Sequence, residues 1–527
     1  MNMKRLFSLS TFLMLSWLVN AQIPTFSEHI APIIYNHCTK CHRDGEIGPF
    51  PLSNYSQVSA RGEMIKHVTS INYMPPWQPD PGYKRYQREN YLSDAQKQQI
   101  VAWVDAGMPQ GNPSLEPPMP VFPTGSQVGA PDLTVSFAKK HVHPGNNIDE
   151  YRYFAIPTGL TQDKKIKSIE FRPGNTKMVH HTLIWEDTTG QTAAFDAATP
   201  EYGYGENQGA GADLNQPQLP GYVPGCAPPI YSHGIVQTLH AGSDLKLQVH
   251  YAPTSVSETD SSSINIFFEN GQSDRPLQST IMLPFGNVLV NGPFIIPANT
   301  TREFHGRISL PYDVSLYSIS PHCHKLGTHW KVYAVKTNGD TIPLINIKKW
   351  DFNWQGDYQF RQLIKVPAGS VIHAFAGYDN TSSNVNNPHN PPQSITWGQG
   401  TAEEMFYLPI SYLKYQAGDE NIVFETDSTT TGNAIKLRGM ADKLYPVFPV
   451  PSQDELTIGY TLANSGKVSV NLISIDGKKM EAIENESYHL PGYHTRRIPV
   501  SKLSPGIYFL EMIKGQDRQT QKVVIGK

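Results

Sequence analysis

A pair of histidines separated by one residue is the first feature of this sequence that could do chemistry. In the stretch PHCHKLGTHW (321–330), His322 and His324 flank Cys323. Residues i and i+2 of a β-strand point to the same face, so both imidazoles can reach one metal ion while the thiol points away. This spacing predicts a strand that carries part of a metal site, with Cys323 as a packing residue or a redox-sensitive thiol.

Two further stretches supply histidines of the same kind. KMVHHTLIW (177–185) contains the adjacent His180 and His181, and LQVHYAP (247–253) places His250 in an alternating, strand-like run. Adjacent residues of a strand face opposite ways, so His180 and His181 can share a metal only at a bulge or a strand end. The alternative is one surface and one buried histidine, and the residues alone leave both interpretations open.

The stretch HCTKCH (37–42) contains a Cys-x-x-Cys-His motif formed by Cys38, Cys41 and His42. Two thiols at this spacing can form thioethers to the two vinyl groups of a haem, and the adjacent histidine then lies under the iron as an axial ligand. The alternatives are a redox-active dithiol and half of a zinc site. No second cysteine pair lies nearby in the sequence, which favours one covalently bound c-type haem.

A sixth haem ligand is expected downstream of this motif. YMPPW (73–77) offers Met74 in a loop constrained by prolines, and a thioether ligand raises the haem potential. The region resembles small bacterial cytochrome c domains, in which a Met-Pro-Pro-Trp loop carries the methionine ligand. The resemblance implies Met74 as the axial partner of His42, with Met64 and Met108 as competing methionines.

The histidine motifs occur in an order that resembles a known enzyme family. Between residues 131 and 425 the sequence shows HH, VHY, H-x-H-x-L-G and GT-x-x-EM in turn, the last of them in GQGTAEEMFYLPISY (398–412). This order resembles the copper type II, ascorbate-dependent monooxygenases, which include the peptidylglycine and dopamine hydroxylating enzymes. The resemblance implies two jelly-roll-like β-sandwiches that face each other across a solvent cleft, each holding one copper ion.

The same resemblance implies a role for each ligand. The copper that stores and passes an electron would be held by His180, His181 and His250. The copper that binds oxygen and attacks a substrate C–H bond would be held by His322, His324 and Met405. Thioether ligands favour Cu(I) and are unusual for zinc, so Met405 favours copper over a structural or hydrolytic zinc.

The sequence departs from this family at two points. Animal members are rich in disulfides, whereas only Cys226 and Cys323 remain here outside the haem motif, and these two could pair or stay free. Peptide-acting members have an arginine two residues before the first H-x-H histidine, where this chain has Ser320. A peptide with a C-terminal glycine is therefore disfavoured as the substrate.

The elements that must position these residues are predicted to be mainly β. A chain of 527 residues with 43 Pro and 41 Gly suits several domains of short strands joined by turns. Ser93 as an N-cap and Gly107 as a stop predict one helix around Trp103. The net charge of −3 excludes a basic surface for nucleic acid.

Both ends of the chain predict export. Lys4 and Arg5 precede an apolar run that ends in small residues, as in a secretory signal peptide, and no later segment is apolar enough to span a bilayer. YPVFPVPSQDELTI (445–458), LSPGIYFLEM and KVVIGK resemble the C-terminal sorting domain of type IX secretion cargo. The resemblance implies the type IX secretion machinery as a partner and a secreted or cell-surface location, with an ordinary accessory sandwich as the alternative.

The predicted fold is a mainly β, multidomain chain: a small α-helical cytochrome c domain, two jelly-roll-like β-sandwiches and a C-terminal Ig-like β-sandwich. The predicted boundaries are 1–21 for the signal peptide, 22–112 for the haem domain, 113–130 for a Pro-rich linker, 131–275 and 276–425 for the two copper sandwiches, and 443–527 for the sorting domain.

These features predict a secreted copper-dependent monooxygenase that hydroxylates a C–H bond with O₂ and an external reductant. The cofactors would be two copper ions and one covalently bound c-type haem that relays electrons to them. The partners would be a small-molecule or peptide substrate and an external electron donor. The alternative is a haem and copper protein that binds or transfers electrons without monooxygenase turnover.

Overall fold

The computed structural model describes residues 23–123, 125–205, 218–271, 275–425 and 441–526. The structure is mostly β-sheet, with 42% of residues in strands and 11% in helices, and its sheets are arranged as sandwiches. The prediction of a mainly β chain is therefore confirmed. The predicted signal peptide (1–21) lies outside the described residues. Within the described ranges, no helix has the length and apolar character needed to cross a bilayer.

The helices of the N-terminal region pack around their own apolar cluster, which includes Phe26, Ile34 and Trp103. The region consists of a π-helical turn (Phe26–Ile30), α1 (Ala31–His37), α2 (Tyr55–Ser59), α3 (Gly62–Ser70), α4 (Asp94–Asp105) and a 3₁₀ turn (Pro113–Leu115). Helix α4 begins as predicted, because Ser93 and Gln96 cap each other's backbone N–H groups in a capping box. Gly107, with φ of +81°, follows its end.

The next region forms the first sandwich from two five-stranded sheets. Its elements are β1 (Leu133–Ser136), β2 (His141–His143), β3 (Glu150–Pro157), β4 (Lys164–Arg172), β5 (Val179–Asp187), α5 (Gln191–Ala198), β6 (Tyr204–Gly205), β7 (Gln218–Tyr222), β8 (Ile235–Leu239), β9 (Asp244–Tyr251), β10 (Glu258–Asp260), β11 (Ser263–Phe268) and β12 (Arg275–Pro276). The sheet orders are β1-β11-β4-β8-β12 and β6-β3-β9-β5-β7, with β2 and β10 as a separate pair.

Strand β9 shows how the alternation of the sequence places the histidines. Leu245, Leu247 and Val249 are fully buried in the core between the two sheets. The intervening residues, which include Gln248 and His250, must therefore point to the opposite face of the sheet. That face is directed towards the second sandwich, as the cleft described below shows.

The second sandwich is built from two four-stranded sheets. Its elements are β13 (Gln278–Met282), β14 (Ile295–Ile296), β15 (Thr301–Ser309), β16 (Val314–Ile319), β17 (Gly327–Val335), β18 (Thr341–Ile347), β19 (Tyr358–Val366), β20 (Val371–Asp379), β21 (Ile395–Thr396), β22 (Leu408–Lys414) and a 3₁₀ turn (Asp419–Asn421). The sheet orders are β13-β22-β16-β19 and β15-β20-β17-β18, and β14 pairs with β21.

The N-terminal region does not stand apart from this sandwich. Tyr86 is fully buried in the apolar core of the second sandwich, and its hydroxyl donates to the Leu344 carbonyl oxygen at 2.6 Å. Glu89 forms an ion pair of 2.8 Å with Arg361, and both side chains are buried. The segment around these residues therefore completes the second sandwich, although the sequence assigns it to the helical region.

The C-terminal sandwich has one three-stranded and one four-stranded sheet. Its strands are β23 (Lys443–Leu444), β24 (Glu455–Leu462), β25 (Gly466–Ser474), β26 (Lys479–His489), β27 (Gly492–Pro499), β28 (Gly506–Lys514) and β29 (Asp517–Ile525). The predicted linker contacts this sandwich: the Val121 N–H donates to the Tyr488 carbonyl at 2.9 Å, and the Tyr493 N–H donates to the Ser126 carbonyl at 2.6 Å. The predicted Pro-rich linker thus packs against the C-terminal sandwich.

Candidate metal centre

A β-bulge in β5 brings the adjacent histidines together. Val179 is opposite Tyr251 of β9, and His181 is opposite His250, so His180 is the extra residue of the bulge. A bulge re-aims a side chain that would otherwise face away. As a result, the Nδ1 atoms of His180 and His181 lie 3.1 Å apart. The structure therefore supplies the distortion that a shared metal requires.

His250 completes a set of three imidazoles. Its Nδ1 lies 3.3 Å from the Nδ1 of His181, and the ligand atoms of all three residues lie within 4.8 Å of one another. Two nitrogens bound at about 2.0 Å to one tetrahedral metal are about 3.3 Å apart. The spacing of His180, His181 and His250 therefore matches the spacing of ligands around a single ion.

Asp149 holds His250 from the other side, and sequence reasoning missed it. Its Oδ1 lies 2.7 Å from His250 Nε2, and the hydrogen bond to His250 holds the pKa of this carboxyl below its usual value. The Tyr151 ring stacks on the His250 ring with centroids 4.3 Å apart. A carboxylate on the second nitrogen fixes the tautomer and orientation of a metal-binding histidine. No local pattern around Asp149 marks it, because its partner is about a hundred residues away.

The second histidine set lies on a loop rather than on the predicted strand. Strand β16 ends at Ile319, β17 begins at Gly327, and only His322 forms a β-bridge, with Tyr407. The rings of His322 and His324 are nevertheless close, with centroids 5.1 Å apart at an angle of 85°. The ladder to Tyr407 and Pro409 continues as far as His322 and stops there, because the N–H of His324 is bound by a side chain.

That side chain is Glu404, which links the two segments of this set. Its fully buried carboxylate accepts hydrogen bonds from the backbone N–H groups of His324 at 2.9 Å, Leu326 at 2.7 Å and Met405 at 3.1 Å. Burial raises the pKa of Glu404 to about 8. The acidic run before Met405 was the available sequence signal, but it indicated only a turn.

Both histidine sets open onto one cleft between the two sandwiches, with a cavity volume of about 180 Å³. The metal-type side chains that line it are His181, His322, His324 and Met405. Its aromatic walls are formed by Tyr151, Tyr153, Trp185, Tyr222, Phe352 and Tyr407. Of the six predicted copper ligands, four therefore line one cavity, and the other two, His180 and His250, contact His181 directly.

Burial keeps these imidazoles neutral. It lowers the pKa of His180 and His324 to about 4 and that of His322 to about 3. Burial lowers the pKa of His181 well below its usual value. The neighbouring His250 and His180 lower it further, and His322 and His324 across the cleft add a smaller effect. Neutral imidazole is the form that binds metal ions.

Ser320, which stands where peptide-acting members of the copper monooxygenases have an arginine, is paired with an acidic residue. Ser320 donates a hydrogen bond of 2.7 Å to the Asp357 carboxylate, and both residues line the cleft. Gln359 donates a further hydrogen bond of 3.1 Å to the same carboxylate. A carboxylate repels the anionic end of a peptide, which agrees with the expectation drawn from Ser320.

The Cys-x-x-Cys-His motif follows α1 directly. The N–H groups of Cys41 and His42 donate to the Cys38 carbonyl at 3.1 and 2.9 Å, which folds the motif into a turn. His42 Nδ1 lies 3.0 Å from the Phe50 carbonyl oxygen, so its Nε2 remains available as a ligand. Burial raises the pKa of Cys38 to about 12 and that of Cys41 to about 11.

Met74 lies in the loop after α3 and is half-buried. Its N–H donates to the Val68 carbonyl at 3.1 Å. Of the competing methionines, Met64 is 53% exposed, and Met108 packs against Gly62 in the helical core. No hydrogen bond or ring contact in the described part of the chain joins Met74 to His42, so their pairing around a haem stays a prediction.

No disulfide joins any of the four cysteines, all of which lie in the described part of the chain. Cys323 is fully buried in the second sandwich, where its sulfur accepts a hydrogen bond of 3.2 Å from Trp330 Nε1. Cys226 is exposed on the first sandwich, next to Cys41. The possible pairing of Cys226 with Cys323 is thus not formed, and Cys323 is a packing residue, as its position in the motif indicated.

Comparison with known families identifies the tail. Residues 446–526 match the family described as Secretion system C-terminal sorting domain. The prediction of a type IX sorting domain is confirmed, and with it export to the cell surface or the medium. No copper monooxygenase or cytochrome family matches the chain. A search of curated proteins finds no sequence that matches it.

Solved structures share only weak similarity with this chain. A β-glucuronidase from Faecalibacterium prausnitzii is 13% identical, with a TM-score of 0.13 over 44% of this chain and 38% of that one. A β-glucuronidase from Ruminococcus gnavus is 10% identical, with a TM-score of 0.12 over 44% and 35%. The chain spans less than two fifths of the length of these structures. TM-scores this low support no statement about fold or activity.

Proposed function

We propose that this protein is a secreted copper-dependent monooxygenase that hydroxylates a C–H bond with O₂ and an external reductant. The observation that carries the proposal is the single cleft onto which a three-imidazole set and a set of two imidazoles with a thioether both open. Copper bound at two such sets supplies two one-electron centres, one of which can meet O₂ beside a substrate. The sorting domain supports a location outside the cell for the proposed chemistry.

The donor set agrees with copper. His180, His181 and His250 have ligand spacings of 3.1 and 3.3 Å, and burial lowers the pKa of His180 and His181 so that both favour the neutral form. Imidazole binds copper in both oxidation states, and the soft thioether of Met405 favours Cu(I). Met405 is 8% exposed and lines the cleft, as a ligand there should.

The chain's own groups orient the second set. His324 Nδ1 lies 3.0 Å from the Glu403 carbonyl oxygen, and the Gly400 backbone also hydrogen-bonds to this imidazole. The backbone of His322 exchanges two hydrogen bonds with Tyr407, of 2.8 and 3.1 Å, and the Gln355 side chain hydrogen-bonds to the His322 imidazole. These contacts fix both rings before a metal binds, so little reorganisation is needed.

The aromatic walls suit an apolar or aromatic substrate. Tyr151, Tyr153 and Trp185 line the cleft from the first sandwich, and Phe352 and Tyr407 line it from the second. Such walls exclude water from the reacting atoms and offer flat contact area to a substrate ring or chain. We therefore expect a small organic substrate whose reacting C–H bond lies next to an apolar or aromatic group.

The same proposal assigns a covalent c-type haem to the N-terminal region. Cys38 and Cys41 would carry the thioethers, His42 the first axial ligand and Met74 the second. The haem would supply one-electron storage between the external donor and the coppers. In support, the hydrogen bond from His42 Nδ1 to the Phe50 carbonyl leaves the other ring nitrogen for iron.

Metal and haem analysis of the purified mature protein tests the proposal first. We expect two copper ions and one haem per chain, with the copper content halved in His181→Ala and in His324→Ala but unchanged in His329→Ala. His329 is paired with Glu303 at 2.8 Å on another face of the second sandwich, so it serves as the control. Two zinc ions per chain would overturn the copper assignment in favour of a hydrolytic zinc site.

Ascorbate-dependent O₂ consumption with a panel of small aromatic and aliphatic substrates tests turnover. We expect O₂ uptake to require both copper ions and to produce one hydroxylated product per O₂. If ascorbate reduces the copper and O₂ fails to reoxidise it with every substrate present, the monooxygenase is refuted. A haem and copper electron-transfer protein would then be the better description.

A further inference from the structure

The loop between β7 and β8 contacts the Cys-x-x-Cys-His motif at one end. A Cβ built on Gly225 would lie 2.8 Å from the Cys41 sulfur, closer than real Cβ atoms approach. The backbone of Gly225 therefore lies against this thiol, and an added Cβ would push the loop and the thiol apart. Gly225 also has a φ of +76°, a conformation that favours glycine.

The other end of this loop reaches the three-histidine set. The Tyr222 N–H donates to Thr182 Oγ1 at 3.1 Å, and Thr182 follows His181 directly in β5. Tyr222 and Thr182 both line the cleft. A turn closed by a hydrogen bond of 3.1 Å from the Cys226 N–H to the Val223 carbonyl joins the two ends of the loop.

The loop is held by contacts on two sides. Arg88, which lies in the segment that completes the second sandwich, donates to the carbonyls of Ala227 at 3.1 Å and Pro228 at 2.7 Å. Nearby, the Thr176 hydroxyl of the first sandwich donates to the Gly45 carbonyl at 2.6 Å. The bond from Thr176 to Gly45 joins the first sandwich to the turn just after the Cys-x-x-Cys-His motif, a contact that rapid electron transfer between them would require.

We propose that residues 222–225 carry single electrons from a haem bound at Cys41 to a copper bound at His181, an inference that rests on the proposed function. The connection runs from the Cys41 sulfur to Gly225 by contact, along the backbone to Tyr222, and through one hydrogen bond to Thr182. In each transfer the ferrous haem loses one electron and a cupric ion gains it. No atom or proton moves, and the external one-electron donor reduces the haem again.

A second connection exists and defines the competing outcome. Gln78, four residues after Met74, exchanges hydrogen bonds with Asp351: its side-chain N–H donates to the Asp351 carbonyl at 3.1 Å, and its oxygen accepts from the Asp351 N–H at 2.8 Å. Phe352 then contacts His324, with ring centroids 5.8 Å apart. This connection begins at a residue with no covalent bond to the haem and includes side-chain contacts, so it is the weaker of the two.

The test uses the full chain loaded with haem and copper, under anaerobic conditions. The haem is reduced by a photochemical pulse, and its reoxidation is followed by absorbance while loss of the Cu(II) signal is followed by electron paramagnetic resonance. Thr182→Val removes the hydrogen-bond acceptor at nearly constant shape, and Gly225→Ala pushes the loop from Cys41. We expect both variants to slow haem reoxidation several-fold, with haem and copper contents unchanged.

Thr158→Val is the matched control. Thr158 is buried in the same sandwich, and its hydroxyl donates to the Ser243 carbonyl at 2.6 Å, away from the loop. Equal rates of haem reoxidation in Thr158→Val and Thr182→Val overturn the inference. Slower haem reoxidation in Phe352→Leu alone overturns it as well. If the protein binds haem and copper and hydroxylates its substrate, but Thr182→Val and Gly225→Ala transfer electrons at the normal rate, only the proposed route is refuted. A protein that binds no haem or no copper refutes the route and the proposed function together.

Discussion

Replacing Asp149 by asparagine tests whether the three-histidine set binds copper. The Asp149 carboxylate lies 2.7 Å from His250 Nε2, while His250 Nδ1 faces the other two histidines. Asparagine keeps the shape and an acceptor oxygen but removes the charge that makes the imidazole a stronger donor. Loss of such a partner weakens metal binding by about 10–100-fold. That range corresponds to about 1.4–2.8 kcal/mol of binding free energy.

The assay is a titration of metal-free protein with Cu(I), in competition with a chromophoric chelator that fixes the free copper concentration. We expect the affinity for one copper ion to decrease by about 10–100-fold and the affinity for the other to stay unchanged. Glu303→Gln is the matched control, because Glu303 forms the same kind of carboxylate–histidine pair with His329, at 2.8 Å, outside the cleft.

Two results would refute the reasoning. If Asp149→Asn leaves both copper affinities within about twofold of the original, then His250 is not held as a ligand by this carboxylate. If both affinities fall together, or if Glu303→Gln has the same effect, the change acts on the whole protein and not on one site. In either case the three-imidazole set would lose its assignment as an independent copper centre.

Three further predictions follow from the same contacts. Glu404→Leu leaves three backbone N–H groups without an acceptor, so metal analysis should show one copper per chain instead of two; an unchanged copper content would contradict the role of Glu404. Tyr86→Ala should lower the free energy of unfolding in urea by about 3–5 kcal/mol, whereas Tyr86→Phe, which loses only the bond to Leu344, should cost about 1 kcal/mol; equal effects would show that Tyr86 is not part of the core. Removing residues 441–527 should abolish export and leave haem and copper contents unchanged, because no residue of the tail lines the cleft; loss of either group would contradict this separation.

Local patterns in the sequence were sufficient to predict one helix, the direction of one histidine and the C-terminal domain. The capping box of α4 and the glycine after it depend on neighbouring residues, so Ser93 and Gly107 marked the helix correctly. The alternation around His250 placed it on the outward face of a strand, because side-chain direction in a strand has a period of two. The tail was recognisable from its own motifs, and residues 446–526 match the sorting-domain family.

Other features depend on residues that are distant in the chain. The bulge at His180 exists only relative to the register of β9, and the periodicity of β5 alone predicts two histidines on opposite faces. The strand predicted over His322 and His324 is interrupted because Glu404, eighty residues away, takes the N–H of His324. The sequence assigns Tyr86 to the helical haem domain, yet its side chain packs in the core of the second sandwich.

The sequence by itself determined which residue types are present for metal and haem chemistry and on which kinds of local element most of them lie. Only the tertiary structure decided that His181 and His324 open onto one cleft, that Asp149 and Glu404 hold their neighbours, and that Gly225 touches Cys41. The physical reason is that local periodicity sets the direction of a side chain. Hydrogen-bond register and packing between distant segments set what that side chain meets.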